Sequence, residues 1–111
     1  MSVKELQKAV HATAVCSGWW ENVDPVAHFP VAIALIHSEL SEALEEYRAG
    51  HDVTKVYVED GKPEGVGIEL ADAVIRILDY CEAAGIDLDA AIELKADYNR
   101  GRGHRHGGKV V

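Results

Sequence analysis

Two short acidic segments of the chain share one pattern that could bind a metal ion. One reads E-L-S-E-A-L from Glu39, and the other reads E-L-A-D-A-V from Glu69. Each segment has two carboxylates three residues apart, and on a helix such residues lie on neighbouring turns of one face. If both segments are helical, each carboxylate pair can therefore bind one cation.

The residue types indicate which ion these segments would bind. Carboxylate oxygens select hard cations, and Mg²⁺ shares its coordination among carboxylates, waters and phosphates. Helical di-iron proteins instead carry Glu-x-x-His, whereas Glu42 and Asp72 occupy the third position after the first acid here. The predicted ligands are thus Glu39, Glu42, Glu69 and Asp72, and the predicted ion is Mg²⁺, for which Mn²⁺ can substitute.

Apolar residues at helical spacing, with Pro and Gly between them, predict an all-α bundle of about four helices. Asp87 is the expected cap of the last helix, and Gly85 the expected end of the third. The helices are predicted at about 3–20, 31–49, 68–84 and 88–100, the second with Pro30 in its first turn. Residues 51–67 should form a loop without a sheet, and 101–111 an irregular basic tail. We expect one domain, 1–111.

The apolar stripes of the second and third helices suggest how the acids would meet. The stripe around Leu40 on one helix and the stripe around Leu70 on the other would pack the two as antiparallel neighbours. All four acids border these stripes, so they would converge on one rim of the bundle. The alternative is an ordinary solvated face, because glutamate-rich helices are common without a metal.

Composition limits the classes of partner. Eleven Lys and Arg against nineteen Asp and Glu leave a formal net charge of -8, which argues against binding to nucleic acid polymers or anionic membranes. Cys16 and Cys81 do not form a C-x-x-C motif, and the first residues lack the apolar run of a signal peptide. No segment approaches the ~20 apolar residues of a membrane span. A cytoplasmic protein is expected.

The chain resembles the MazG-like, all-α nucleoside triphosphate pyrophosphohydrolase superfamily. Its signature is E-x-x-E, a variable gap and E-x-x-D, and the four acids occupy all four positions. The resemblance covers about 31–109, including a stretch from Lys95 that looks like small phage and bacterial members. It implies a homodimer or homotetramer, Mg²⁺ bound by the four acids, and hydrolysis of a nucleoside triphosphate, with a dNTP expected, to the monophosphate and pyrophosphate. A house-cleaning role would fit.

The residues are consistent with this chemistry, since bound metal can activate a water for attack on phosphorus and no protein nucleophile is evident. Trp19 and Trp20 are candidate walls of a base pocket, although packing in the core or a dimer interface is an equal alternative. Arg76 could pair with Glu69, Asp72 or Asp79, or contact phosphate, and the ion pair is the favoured interpretation. The candidate phosphate-binding residues gather late in the chain, where the alternative is a basic helix end: Lys95, Asn99, Arg102, Arg105 and Lys109.

The other residues near these segments are expected to have lesser roles. Glu45, Glu46 and Asp79 could extend the metal site, but the favoured interpretation is that they are solvated or support the metal ligands. His11, His28, His37 and His51 show no ligand spacing and are expected to be surface or packing residues. His104 and His106 could bind a transition metal, but a basic tail flanked by glycines is the favoured interpretation.

Two other functions compete with this interpretation. Related helical bundles hydrolyse phosphoribosyl-ATP with similar paired acids, and a panel of substrates separates the two reactions. The chain could instead be a non-catalytic helical interaction or regulatory module, which would bind no Mg²⁺. The matched register of the two acidic pairs argues against the module.

Overall fold

The computed structural model describes residues 1–111 and is mostly helical, as predicted. Two long helices in the middle of the chain, with one helix before them and one after them, make up most of the chain. No helix combines the length and the apolarity that crossing a bilayer requires. The elements are α1 (Val3–Cys16), α2 (Pro25–Arg48), β1 (Tyr57–Glu59), β2 (Lys62–Glu64), α3 (Val66–Ala84), α4 (Leu88–Arg100) and a short helical turn, α5 (Arg105–Gly108).

The end of α3 and the start of α4 confirm the signals predicted from the sequence. Gly85 ends α3 in the left-handed conformation, at φ 74°. The Asp87 side chain accepts a hydrogen bond from the Ala90 backbone N–H at 3.1 Å and caps α4. In the tail, Arg105 and His106 have positive φ, so α5 is a distorted turn rather than a regular helix.

The predicted bounds of α1 and α2 are partly wrong. Helix α2 begins at Pro25, not near residue 31, because the Asp24 side chain accepts a hydrogen bond from the Val26 N–H at 3.0 Å and Pro25 occupies the first helical position. Pro30 therefore lies inside the helix rather than in its first turn. Helix α1 ends at Cys16, four residues earlier than predicted, and Gly18 with φ 86° follows in a turn.

The prediction of a loop without a sheet is also wrong. Strands β1 and β2 form an antiparallel hairpin in which Tyr57 pairs with Glu64 and Glu59 with Lys62. Asp60 and Gly61 both have positive φ, 52° and 77°, as a two-residue type I′ turn requires. This Asp-Gly turn closes the hairpin and directs the chain into α3.

Helices α2 and α3 are antiparallel neighbours, as predicted. The Tyr80 hydroxyl donates to the Pro25 carbonyl at 2.9 Å, so the end of α3 lies beside the start of α2. In the middle of both helices, Arg76 contacts Glu39. Farther along, Glu46 lies near Glu69, at the start of α3. Helix α1 packs against α3, and α4 packs mainly against α1.

The faces that α2 and α3 bury differ from the predicted stripes. The buried positions include Ala43 and Ala73, together with two of the predicted metal ligands. By contrast, Leu40, Leu44 and Leu70 are exposed, Leu44 by 56%. The expectation that the helices pack through the centres of these stripes, with the acids at a rim, is therefore wrong. The small residues Ala43 and Ala73 are buried beside the predicted stripes, whereas the leucines at the stripe centres face solvent.

Candidate metal centre

Three of the four predicted ligands converge between α2 and α3. Carboxylate oxygens of Glu39, Glu69 and Asp72 all lie within 4.8 Å of one another. Glu39 and Glu69 are each only 7% exposed, and Asp72 is half-buried. The three-residue spacing on α3 places Glu69 and Asp72 on one face, and the antiparallel packing brings Glu39 opposite them.

The fourth predicted ligand, Glu42, is exposed and is not part of this three-carboxylate group. It nevertheless acts on the group, because burial and then the neighbouring carboxyls of Glu42 and Glu39 raise the pKa of Glu69 to about 8. Burial, followed by the charge of Glu39, also raises the pKa of Asp72. Negative charge is thus costly at this site.

Arg76 offsets part of that charge. Its Nε donates to Glu39 Oε1 at 2.9 Å. Burial alone would raise the pKa of Glu39, but the hydrogen bond and charge of Arg76, with a hydrogen bond to Glu69 among the other contributions, lower it on balance. Arg76 therefore forms an acid pair as expected, although its partner on α2 was not among the three acids predicted.

Glu69 also carries an orphaned oxygen. Its Oε2 is buried and has no hydrogen-bond partner. A buried carboxylate oxygen without a partner is costly, and a bound cation would supply the missing contact. The donor set is made entirely of carboxylate oxygens, which suits Mg²⁺ or Mn²⁺. The residues present therefore fit the predicted ion.

A cleft of about 680 Å³ adjoins the acids, and both tryptophans line it together with Glu39 and Asp72. Trp19 is 76% exposed, whereas Trp20 is held in place by donating from Nε1 to Asp79 Oδ1 at 2.9 Å. The volume lies in the range of small-molecule sites. The structure thus brings the predicted base-pocket residues and two of the four predicted metal ligands, Glu39 and Asp72, to one cleft.

Sequence reasoning missed His28, which lines this cleft, and His11, which packs against Trp20 at its wall. His11 Nδ1 lies 2.7 Å from Asp79 Oδ1, and the rings of both His11 and His28 pack near Trp20. Asp79 thereby joins α1, the segment after α1, and α3. The only available signal was Asp79 itself, one turn beyond Arg76 on the acidic face of α3.

The predicted phosphate-binding residues lie apart from the acids. Lys95 and Asn99 are on α4, and Lys95 and Arg102 lie over the Tyr98 ring, 4.8 and 5.3 Å from its centroid. Arg105 and Lys109 lie in and after the α5 turn. None of the five lines the 680 Å³ cleft or forms an ion pair with the acids. A single chain therefore does not bring them to the candidate metal centre.

A second acidic group shares Glu69. Carboxylate oxygens of Glu46, Glu64 and Glu69 also lie within 4.8 Å of one another. Glu64 is at the end of β2, so it was missed together with the hairpin, and the Asp60-Gly61 turn was the signal that could have found it. Glu45 is exposed and pairs only with Arg48.

The fold and site define a small, mostly helical protein with clustered carboxylates beside a cleft. A scan against protein-family models, a search of curated proteins and a search of solved structures each found no match.

Proposed function

We propose that the protein is a MazG-like, Mg²⁺-dependent nucleoside triphosphate pyrophosphohydrolase. Its reaction would convert a nucleoside triphosphate, with a deoxynucleotide as the expected substrate, to the monophosphate and pyrophosphate. One observation carries the proposal: Glu39, Glu69 and Asp72 converge within 4.8 Å, and the buried Oε2 of Glu69 lacks a partner. Carboxylates arranged in this way are suited to a hard cation.

The roles of the residues follow from their positions. Glu39, Glu69 and Asp72 would hold the ion, and Glu42 would complete the set from the exposed side. When bound, Mg²⁺ neutralises phosphate charge and lowers the pKa of a coordinated water. Arg76 orients Glu39 through its 2.9 Å hydrogen bond. A carboxylate that is not fully engaged by the ion would accept the proton of the attacking water.

The cleft supports a nucleotide rather than phosphate alone. Its tryptophans offer an aromatic surface for a base, and Glu39 and Asp72 line the same cleft. Trp20 is fixed by Asp79, so Trp19, which is exposed, is the better candidate to stack on a base. The triphosphate would then extend toward the carboxylates.

The exposed apolar residues support a homodimer or homotetramer. Few residues of the chain are buried, and no large side chain is fully buried. A second copy would cover exposed residues such as Leu40 and Leu44 of α2. It could also bring the basic residues of α4 and the tail to a neighbouring site, which they do not reach in their own chain.

The test is hydrolysis of a panel of dNTPs, NTPs and phosphoribosyl-ATP, with Mg²⁺ or EDTA, following pyrophosphate and monophosphate together. Asp72→Asn should lower kcat by about a hundredfold or more, because metal-bound charge stabilisation contributes several kcal/mol and each ~1.4 kcal/mol is tenfold in rate. Asp60→Asn is the matched control, since Asp60 lies exposed in the hairpin turn and Asn also tolerates its φ of 52°.

Each result separates the candidate functions. Stoichiometric pyrophosphate and monophosphate from a common nucleotide, dependent on Mg²⁺ and on Asp72, supports the proposal. Cleavage of phosphoribosyl-ATP alone would favour the related reaction. No hydrolysis of any substrate, with equal behaviour of both variants, would favour a non-catalytic helical module.

A further inference from the structure

The hairpin brings a third acidic element to the start of α3. Glu64 ends β2, and carboxylate oxygens of Glu64, Glu46 and Glu69 lie within 4.8 Å of one another. The side chains of Glu46 and Glu64 are only 15% and 19% exposed. Three separate elements, α2, the hairpin and α3, each contribute one carboxylate to this group.

The backbone at Gly65 fixes the position of Glu64. Gly65 is buried and has φ 129°, a conformation that side chains rarely adopt. A Cβ there would lie 2.7 Å from the Lys55 carbonyl oxygen, so the chain passes tightly against the segment before β1. This close approach leaves Glu64 little freedom to move away from the helices.

Glu46 is oriented by its neighbours. The Tyr57 hydroxyl lies 3.0 and 2.9 Å from the two carboxylate oxygens of Glu46, and it can donate to one of them at a time. The His51 ring stacks on the Tyr57 ring with a centroid distance of 4.7 Å, and its Nε2 lies 3.6 Å from Glu46 Oε2. Outer contacts of this kind commonly hold a metal-binding carboxylate in position.

The independent sign of a missing ligand is Glu69. Glu69 is only 7% exposed, and so 93% buried, and its Oε2 has no hydrogen-bond partner in the protein. The nearby cations do not supply one. Lys62 pairs with Glu64 at 3.5 Å, but its side chain is 76% exposed and it makes no ion pair with Glu69.

We propose that a second divalent cation, Mg²⁺ or Mn²⁺, binds between Glu46, Glu64 and Glu69. This site is separate from the one between Glu39, Glu69 and Asp72, and Glu69 contributes to both. Its ligands are carboxylate oxygens only, which excludes a preference for soft transition metals. The ion would tie the hairpin to α2 and α3.

A role at the phosphates rests on the proposed function. Two cations held by a shared carboxylate is an arrangement that suits phosphate chemistry, where paired ions can contact both attacking and leaving oxygens. The site itself can be tested without any nucleotide, so that its failure and the failure of the proposed function are distinguishable.

The experiment counts Mn²⁺ ions bound per chain, from the loss of the free Mn²⁺ signal in electron paramagnetic resonance. Wild-type protein should bind two ions, Glu64→Gln one, and Glu46→Gln one. Glu59→Gln is the matched control, because it removes the same charge from the same hairpin at an exposed position that is not part of the group. It should still bind two ions.

An unchanged count in both Glu64→Gln and Glu46→Gln overturns the second site, whether the wild type binds two ions or one. A wild-type count of one that falls to zero in both variants supports the second site and instead contradicts the site between Glu39, Glu69 and Asp72. Loss of an ion in Glu59→Gln as well would also overturn it, because the effect would then follow net charge rather than ligation. Circular dichroism of each variant verifies folding, and two separate ligand variants keep the test decisive if one fails to fold. The pyrophosphate assay reports on the proposed function independently of these counts.

Discussion

At the scale of single residues, the candidate site is built around a conflict between burial and charge. Glu69 lies in the centre of it, shared by two acidic groups and almost completely buried. Folding places this carboxyl where its ionised form is disfavoured, by desolvation first and then by Glu42 and Glu39. Natural proteins retain such an arrangement at functional sites more often than elsewhere.

This conflict predicts a pH dependence of stability in metal-free protein. The pKa of Glu69 is about 8 in the folded chain and has an ordinary value of 4.5. Between these values the folded state holds more protons than the unfolded state, so the free energy of unfolding falls as pH rises. The contribution of Glu69 is fully present below the lower value and lost above the higher one. The raised pKa of Asp72 acts in the same direction.

Thermal unfolding in EDTA measures the effect. Glu69→Gln has no ionisable group at this position. The Tm of this variant minus the Tm of the wild type should therefore increase steadily as pH rises through this window. Added Mg²⁺ should raise the wild-type Tm most at the alkaline end, where the carboxylates are ionised. A difference between the two proteins that does not change with pH would contradict the assigned cause.

At the scale of elements, the sequence predicted what depends on local chemistry. The end of α3 at Gly85 and the start of α4 at Asp87 follow from a left-handed residue and a side-chain cap. The i, i+3 spacing likewise predicted that Glu69 and Asp72 share a face. The start of α2 was predicted wrongly because two prolines, Pro25 and Pro30, are both suited to the first turn of a helix. The Asp24 side chain caps the helix and places its start at Pro25.

The features that the sequence did not predict depend on contacts between segments that are separate in the sequence. Glu64 joins Glu46 only because the hairpin folds back, and the buried positions Ala43 and Ala73 lie beside the predicted stripes rather than within them. Periodicity indicates that a helix has an apolar face, but it does not show which neighbour covers that face. The burial of Glu39 and Glu69 could therefore not be read from spacing alone.

Gly65 provides a test of how the hairpin is positioned. Gly65→Ala should destabilise the protein by about 2 kcal/mol or more, because φ 129° is strained for alanine and its Cβ would meet the Lys55 carbonyl oxygen. Gly67→Ala is the matched control: Gly67 lies in α3 with open space around its Cβ position. It should be neutral or stabilising by up to about 1 kcal/mol.

Denaturant unfolding of both variants measures these changes. Equal stability of the two would mean that the close approach at Gly65 does not fix the hairpin. In that case the orientation of Glu64 would need another explanation, and the second cation site would lose one of its supports.

At the scale of the whole molecule, the single chain is less compact, and exposes more apolar surface, than is expected for a domain of its length and hydrophobic content. Its radius of gyration is 16.6 Å, whereas a compact domain of about 100 residues has about 13 Å. Nearly half of the residues are hydrophobic by composition, 48%, yet large apolar side chains remain exposed on every long helix. Exposed apolar area of this extent is typical of surfaces covered by another protein.

We therefore expect light scattering to give a mass of at least twice the 12.1 kDa of the chain. Leu44→Glu should shift the protein toward the monomer, because it puts a charge on an apolar position of α2 that a second copy would bury. Leu94→Glu is the matched control, since Leu94 is exposed on α4, which packs mainly against α1.

The two variants together locate the interface. Dissociation in Leu44→Glu alone places it on α2, beside the candidate metal centre, and an equal effect of Leu94→Glu would extend it to α4. A monomeric wild type would contradict the expectation and leave the exposed apolar residues to a different partner. If the interface does include α2, assembly and the site are coupled, because the same helix supplies Glu39 and Glu46. Dilution that separates the copies should then weaken Mn²⁺ binding as well.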